Sequence, residues 1–209
     1  RGDEPPGHVE MLNLIARAAG HRNVQALRAS TQPLVLAEAA GLIVAYPEQP
    51  QAQNANRCWN WFRPEDQRRG AGEPALLAGL AETLAAEFAV PRSRLFVAGL
   101  SAGGAMAAVL GEAYPDLFAA IGVHSGVPCG SARDARSALA AMRGAVAASG
   151  PGGVEGPPTI VFQGDADTTV HPANATQLVI RAVGEAASGR WDTRTDGGRS
   201  VTRSTTRSG

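Results

Sequence analysis

The sequence predicts an α/β domain built on a mainly parallel sheet with helices on both faces. Short apolar runs alternate with helix-patterned segments through the middle of the chain, the signature of strand–helix–strand units. One such run passes into a helix through Gly99-Leu100-Ser101-Ala102-Gly103. The 209 residues, 44% of them hydrophobic, are enough to bury a core under such a sheet.

Taken in order, Val9 to Leu27 has helix-like spacing but no strand with a glycine-rich exit follows it. Leu36–Ala40 reads as a helix end capped by Gly41, and Leu42–Tyr46 as a buried strand stopped by Pro47. Gln49–Gly72 is polar and reads as a long surface loop carrying Trp59, Trp61 and Phe62. Glu73–Phe88 has amphipathic spacing, with Pro74 tolerated in the first turn. Arg94–Ala98 reads as a strand, Ala105–Ala113 as a helix of small residues, and Phe118–His124 as another buried strand. Residues 130–157 read as a surface excursion around one helix, Ala135–Val146; then come a strand, Thr159–Phe162, and a helix, Pro172–Glu185. After Gly189 only a weak strand pattern remains. The expectation is one domain over residues 1–209.

Composition excludes several classes. Nineteen basic and nineteen acidic side chains cancel, so no basic stripe points to nucleic acid. The apolar runs fall short of the roughly 20 residues that span a bilayer. All basic residues are arginine, which rules out a lysine Schiff base or a P-loop lysine. Two cysteines, Cys58 and Cys129, allow one bridge or two separate thiols and no structural zinc site. No signal peptide is visible and the first residue is Arg1, which reads as a processed or incomplete product.

The chemistry centres on Ser101. Gly-x-Ser-x-Gly between a strand and a helix sets serine on a sharp turn, its hydroxyl raised above the sheet, as in α/β-hydrolases. Side chains at Gly99 and Gly103 are expected to collide across so tight a turn. The following helix presents free amides and its positive end, so the Ala102 N–H is the expected oxyanion donor. In this fold the acid follows the serine and the histidine follows the acid. Asp167 stands beyond the Thr159–Phe162 strand and is the favoured acid, with Asp165 its competitor. The base is not identified: of His8, His21, His124 and His171, only His171 follows Asp167, and it does so by four residues. Trp59, Trp61 and Phe62 either form an aromatic wall for substrate or cover the core. The chemistry needs no metal and no organic cofactor.

Several blocks carry a resemblance: Ala45-Tyr46-Pro47-Glu48-Gln49, Cys58-Trp59-Asn60-Trp61-Phe62, Ala98 through Met106, Tyr114-Pro115-Asp116, and Gly122-Val123-His124-Ser125-Gly126. Together these resemble the PHB depolymerase esterase family of α/β-hydrolases, which includes polyhydroxybutyrate depolymerases and feruloyl or acetylxylan esterases. The likeness runs from about Leu34 to Arg181, with 1–33 and 190–209 divergent or incomplete. It implies a serine carboxylic-ester hydrolase working through an acyl-enzyme, with Ser101 as nucleophile and Asp167 as acid. It implies secretion, and a substrate that is an ester of a polyhydroxyalkanoate or of a plant cell-wall polysaccharide, with no nucleic acid and no membrane span. Gln163 replaces the histidine of the family's His-Gly-x-x-Asp run. Residues 1–40 hold no His-Gly-Cys run to supply the second oxyanion donor, and no Gly-His-x-Trp-like segment that carries the base is found. The alternative is therefore a catalytically inactive or truncated hydrolase-like chain.

Overall fold

The computed structural model describes residues 37, 39–145, 156–183, 189–196 and 199–206. Contacts divide the chain into two compact units, Arg1–Cys58 and Trp59–Gly209.

In the first unit Ala37 and Ala39 are helical. Leu42 N–H donates to the Ala37 carbonyl at 2.8 Å while Gly41 takes φ +63°. This is the expected helix end, closed by a residue in the left-handed region that glycine fills without penalty. The expected strand Leu42–Tyr46 does not form: these residues pair with no ladder among the described residues, and Leu42 is 48% exposed. An apolar run predicts burial, but a strand also needs a neighbour for its amides and carbonyls. Residues 47–58 form a loop held by side chains. Asn54 Oδ1 accepts from the amides of Asn56 (2.9 Å) and Cys58 (3.4 Å), and Gln49 Nε2 donates to the Cys58 carbonyl. The Val9–Leu27 expectation lies outside the described residues.

The second unit holds the sheet. Its elements are α1 (Gly72–Glu87), β1 (Phe96–Leu100), α2 (Ala102–Ala113), β2 (Ala120–His124), α3 (Ala135–Met142), β3 (Thr159–Phe162), α4 (Ala173–Val183), β4 (Gly189–Asp196) and β5 (Arg199–Thr206). Strands β1, β2 and β3 lie in that order and pair in parallel. The expected strand 94–98 starts two residues late because Arg92–Arg94 form a 3-10 turn after Pro91. The weak pattern after Gly189 is an antiparallel hairpin, with Asp196 opposite Arg199 at its tip and Thr193 Oγ1 3.1 Å from Thr202 Oγ1 across it.

Alternation along the strands sorts the two faces of the parallel sheet. Ile121 and Val123 are buried and join the core built on α2, where Met106, Val109 and Leu110 are almost wholly enclosed. Small residues make α2 narrow, and a methyl on Gly111 would sit 2.6 Å from Ile121 Cδ1 and force that side chain to shift. On the opposite face Phe96, Leu100, Ile160 and Phe162 are each more than half exposed.

The connections are pinned by polar contacts. Gln67 clamps the loop after β2: its Nε2 donates to the Ala132 carbonyl at 2.8 Å and its Oε1 accepts from Gly130 N at 3.0 Å. Tyr114 Oη accepts from Gly70 N while the Arg69 guanidinium lies over the Tyr114 ring and pairs with Asp116. Asp134 and Ser137 form a capping box at the start of α3. Arg181 of α4 grips Glu112 of α2 through two parallel bonds of 2.7 and 2.8 Å.

Candidate active site

Ser101 sits where β1 ends and α2 begins. Its amide donates to the His124 carbonyl at 2.9 Å, so the ladder with β2 holds up to the serine. Its backbone then takes φ +56° and ψ −119°, a costly conformation for a residue with a side chain. The residue stands exposed. The turn is feasible only because of missing side chains, though not all those expected. A Cβ on Gly99 would lie 2.1 Å from the Gly103 carbonyl oxygen, and one on Gly104 would lie 2.8 Å from that of His124. Gly126 is equally crowded, with Gly104 C at 2.8 Å. Gly103 itself is not: the nearest atom to its missing Cβ is Trp59 Cδ1 at 3.9 Å. The close approach is thus made by Gly99, Gly104 and Gly126, where the elbow meets the end of β2.

The first residues of a helix lack intrahelical partners for their N–H groups. In α2 the first satisfied amide is that of Ala105, which donates to the Ser101 carbonyl at 2.9 Å. The Ala102 amide precedes it, at the positive end of the helix beside the serine.

Strand register aligns the rest of the edge. Leu100 pairs with His124, and His124 with Phe162, so Ser101, Ser125 and Gln163 leave the sheet side by side. Two strand spacings put the backbones of Ser101 and Gln163 about 10 Å apart. Beyond Gln163 a turn closed by Asp167 N on the Gly164 carbonyl brings the Asp167 side chain back. Asp167 Oδ1 accepts from Thr169 N and Val170 N, both at 2.9 Å, and Oδ2 from Gln163 Nε2 at 3.0 Å. Hydrogen bonds from the Val170 amide, the Ser125 hydroxyl and the Thr169 amide, in that order, hold its pKa below the ordinary carboxylate value. Asp165 is exposed and accepts no hydrogen bond among the described residues. Gln163 Nε2 also donates to the Val170 carbonyl at 2.9 Å, while its Oε1 is buried without a partner among the described residues.

The histidines divide. His124 Nδ1 lies 3.2 Å from Ser125 Oγ, and its ring stacks on Phe162 with centroids 6.1 Å apart. His171 has a structural place between α3 and α4: its amide donates to the Met142 carbonyl, its Nδ1 accepts from Ala173 N at 3.2 Å, and its ring lies against Gly144. His8 and His21 lie outside the described residues. Among the described residues no histidine nitrogen is hydrogen-bonded to Ser101 or Asp167.

The aromatic segment also divides. Trp61 is only 7% exposed, belongs to the core and meets Phe62 edge to face at 5.7 Å. Trp59 is half-buried and stands beside Gly103, at the first turn of α2. Between them Asn60, 1% exposed, fixes the segment: its amide and its Nδ2 donate to the two oxygens of Glu73 at 2.7 and 2.6 Å. The sequence reading passed over Asn60 and Glu73, whose only signal is a short polar residue between two tryptophans. Both cysteines are free, Cys58 exposed and Cys129 buried. A hollow of about 50 Å³ lies at the other end of the sheet, lined by Ala108, Glu112, Ile121, Thr159, Leu178 and Arg181; it is too small for an ordinary ligand pocket. Among the described residues no helix is long and apolar enough to cross a membrane, and no cluster of metal-ligating side chains is present.

Residues 4–185 match the sequence profile of the family described as esterase PHB depolymerase. The chain belongs to that family. The match begins well before Leu34, so it takes in most of residues 1–33. Among the chain's relatives, poly(3-hydroxyalkanoate) depolymerase C of Paucimonas lemoignei is 34% identical, over 83% of this chain and 48% of that protein. A probable acetylxylan esterase A of Aspergillus clavatus is 32% identical, over 66% of this chain and 50% of that protein. The chain thus spans about half the length of these curated relatives. The solved acetyl xylan esterase from Aspergillus awamori has the same α/β-hydrolase fold, with TM-score 0.61, 24% identity, and coverage of 79% of this chain and 71% of that one.

Proposed function

We propose that the chain is a serine carboxylic-ester hydrolase that works through an acyl-enzyme. The observation that carries this is the strained, exposed Ser101 at the head of α2, one strand spacing from the β2 edge and two from the Asp167 loop. Ser101 attacks the ester carbonyl, and its proton passes to a histidine that Asp167 orients. The oxyanion that forms is met by the Ala102 amide and the positive end of α2. Collapse of the oxyanion breaks the ester C–O bond, and the histidine gives its proton to the departing alcohol. Water, deprotonated by the same histidine, then releases the acyl group as the acid and restores Ser101. Family membership supports esters of 3-hydroxyalkanoates or of acetylated or feruloylated polysaccharide as substrates, in an extracellular setting. Trp59, beside Gly103, forms the wall along which the acyl or leaving group lies, while Trp61 is enclosed in the core.

One observation favours a second reading, a hydrolase-like fold without turnover: neither His124 nor His171 presents a ring nitrogen to Ser101 or Asp167. A fluorophosphonate probe and p-nitrophenyl butyrate hydrolysis decide between them. Labelling of Ser101, and activity that falls about 10⁴-fold or more in Ser101→Ala, support the esterase. A folded protein that neither labels nor turns over overturns it.

A further inference from the structure

Gln163 is the residue after β3, and its side chain reaches across the loop that carries Asp167. Its Nε2 donates to Asp167 Oδ2 at 3.0 Å and to the Val170 carbonyl at 2.9 Å. Those bonds use both protons of the nitrogen, and both partners, a carboxylate and a carbonyl, only accept. The amide therefore has one possible orientation, since turning it over would set its oxygen against two acceptors. In that orientation Oε1 is buried without a partner among the described residues. A buried carbonyl oxygen left unpaired costs stability, so the side chain is held by what its nitrogen does. Val170, 2% exposed, anchors the far end of the loop in the core.

We propose that Gln163 is a positioning residue for Asp167: it holds Oδ2 from the end of β3 while the loop's own amides hold Oδ1. The amides of Thr169 and Val170, each at 2.9 Å, fix Oδ1. Bonds to one oxygen alone leave the carboxylate free to swing about its Cβ–Cγ bond, a broad torsion. A donor on the second oxygen stops that swing. This donor comes from the residue that leaves the sheet level with Ser101 and Ser125, so the acid is referred to the strands and not only to its own loop. A primary amide carries both protons at every working pH. A neutral imidazole in the same place carries one N–H, and serves two acceptors fully only as the cation. Glutamine thus keeps the acid's geometry independent of pH, where the base itself must titrate. Its importance to catalysis rests on the reading of Asp167 as the acid.

Two variants test this, read by carbon-detected titration of the Asp167 carboxyl and by kcat and KM for p-nitrophenyl butyrate. Gln163→Met fills similar space without a donor. It should raise the Asp167 pKa above the wild type's and lower kcat about ten-fold, with KM changed by less than about two-fold. Gln163→His should come closest to the wild-type kcat at about pH 5.5, where the imidazolium donates to both partners. As pH rises through the imidazole range, about pH 6.5, one donor is lost. The ratio of its kcat to the wild type's should then fall, and the Asp167 carboxyl should show a second titration step that the wild type lacks. A role confined to fastening the loop would lower the Tm of Gln163→Met and leave the Asp167 titration as in the wild type, which overturns the proposal. If the methionine variant does not fold, the absence of the second step in Gln163→His overturns it alone. An Asp167 that responds in both variants beside a Ser101 without turnover would instead overturn the esterase reading and leave the hold of Gln163 on Asp167 standing.

Discussion

Gly99 faces Gly103 across the elbow so closely that a methyl on Gly99 would lie 2.1 Å from the Gly103 carbonyl oxygen, a backbone atom with no room to move. The reverse substitution meets only Trp59 Cδ1 at 3.9 Å. The two glycines of the motif should therefore behave differently. Gly99→Ala is expected to cost about 3 kcal/mol or more, through forced rearrangement of the turn. Gly103→Ala, inside a helix and unobstructed, is expected to be neutral or to stabilise by up to about 1 kcal/mol. Urea unfolding of both variants reads the contrast, and equal losses would contradict it.

That asymmetry marks the limit of what was legible in the sequence. The α/β class, the strand Thr159–Phe162 and the helix α4 follow from apolar periodicity, which acts over a few residues. Helix α1 forms where one was expected, but its apolar residues are not confined to one face, Leu76 being exposed. The elbow was found because its motif carries its own local geometry. Gly99 is crowded from within the motif, whereas the crowding of Gly104 comes from the His124 carbonyl and from Gly126, about twenty residues on, and no local pattern reports that. Leu42–Tyr46 misled for the same reason: an apolar run specifies burial and leaves pairing to distant partners. Within the site, Ser101 was legible, whereas the place of Ser125 between Ser101 and Gln163 is set by strand register, which no local pattern reports.

Asn174 is the polar rivet between α3 and α4. It is 1% exposed, and its Nδ2 donates towards the carbonyls of Ala141 (3.0 Å), His171 (3.1 Å) and Met142 (3.3 Å). Two protons serve three acceptors at the end of one helix and the start of the next. Asn174→Ala removes these donors but leaves each carbonyl one backbone partner, Gly144 N, His171 N or Asn174 N, so it is expected to cost about 1–2 kcal/mol, read as a lower urea midpoint with an unchanged slope. A loss under about 0.5 kcal/mol would show that water replaces the amide.

Asp66 supplies a pH signature. The residue before α1, Ala71, has no capping side chain, and Asp66 Oδ1 takes that role from the preceding turn by accepting from Glu73 N at 2.7 Å. Burial, only partly offset by that amide, raises its pKa, and the charges of Glu73 and Glu65 push it the same way. With the folded pKa above the unfolded one, the contribution to stability is fully present below the unfolded value and is lost as pH rises through the folded value. At neutral pH the charge is thus a liability, while the acceptor is an asset. Asp66→Asn keeps the acceptor and removes the charge, so its Tm should exceed the wild type's at pH 7.5 and approach it near pH 3. Asp66→Ala loses the cap and should fall by about 1 kcal/mol at either pH. A lower Tm for the asparagine variant at pH 7.5 would show that the ionised carboxylate stabilises the turn.

The two thiols should differ sharply in reactivity. Cys129 is 8% exposed, and burial, reinforced by the neighbouring Glu112 charge and opposed by Arg181, pushes its thiol up to about 12. Only the thiolate attacks a disulfide reagent, and at pH 8 a thiol of this pKa is ionised to about one part in ten thousand. Cys58 is exposed, with its Sγ directed at the Asn56 carbonyl at 3.6 Å. Folded protein treated with an aryl disulfide at pH 8 is therefore expected to release one equivalent of chromophore quickly, lost in Cys58→Ser, and the second only on unfolding. Two equivalents released together would mean that the core around Cys129 opens readily. Because that thiol lies beside the Glu112–Arg181 pair joining α2 to α4, its exchange rate also reports how often the helix behind Ser101 separates from its neighbour.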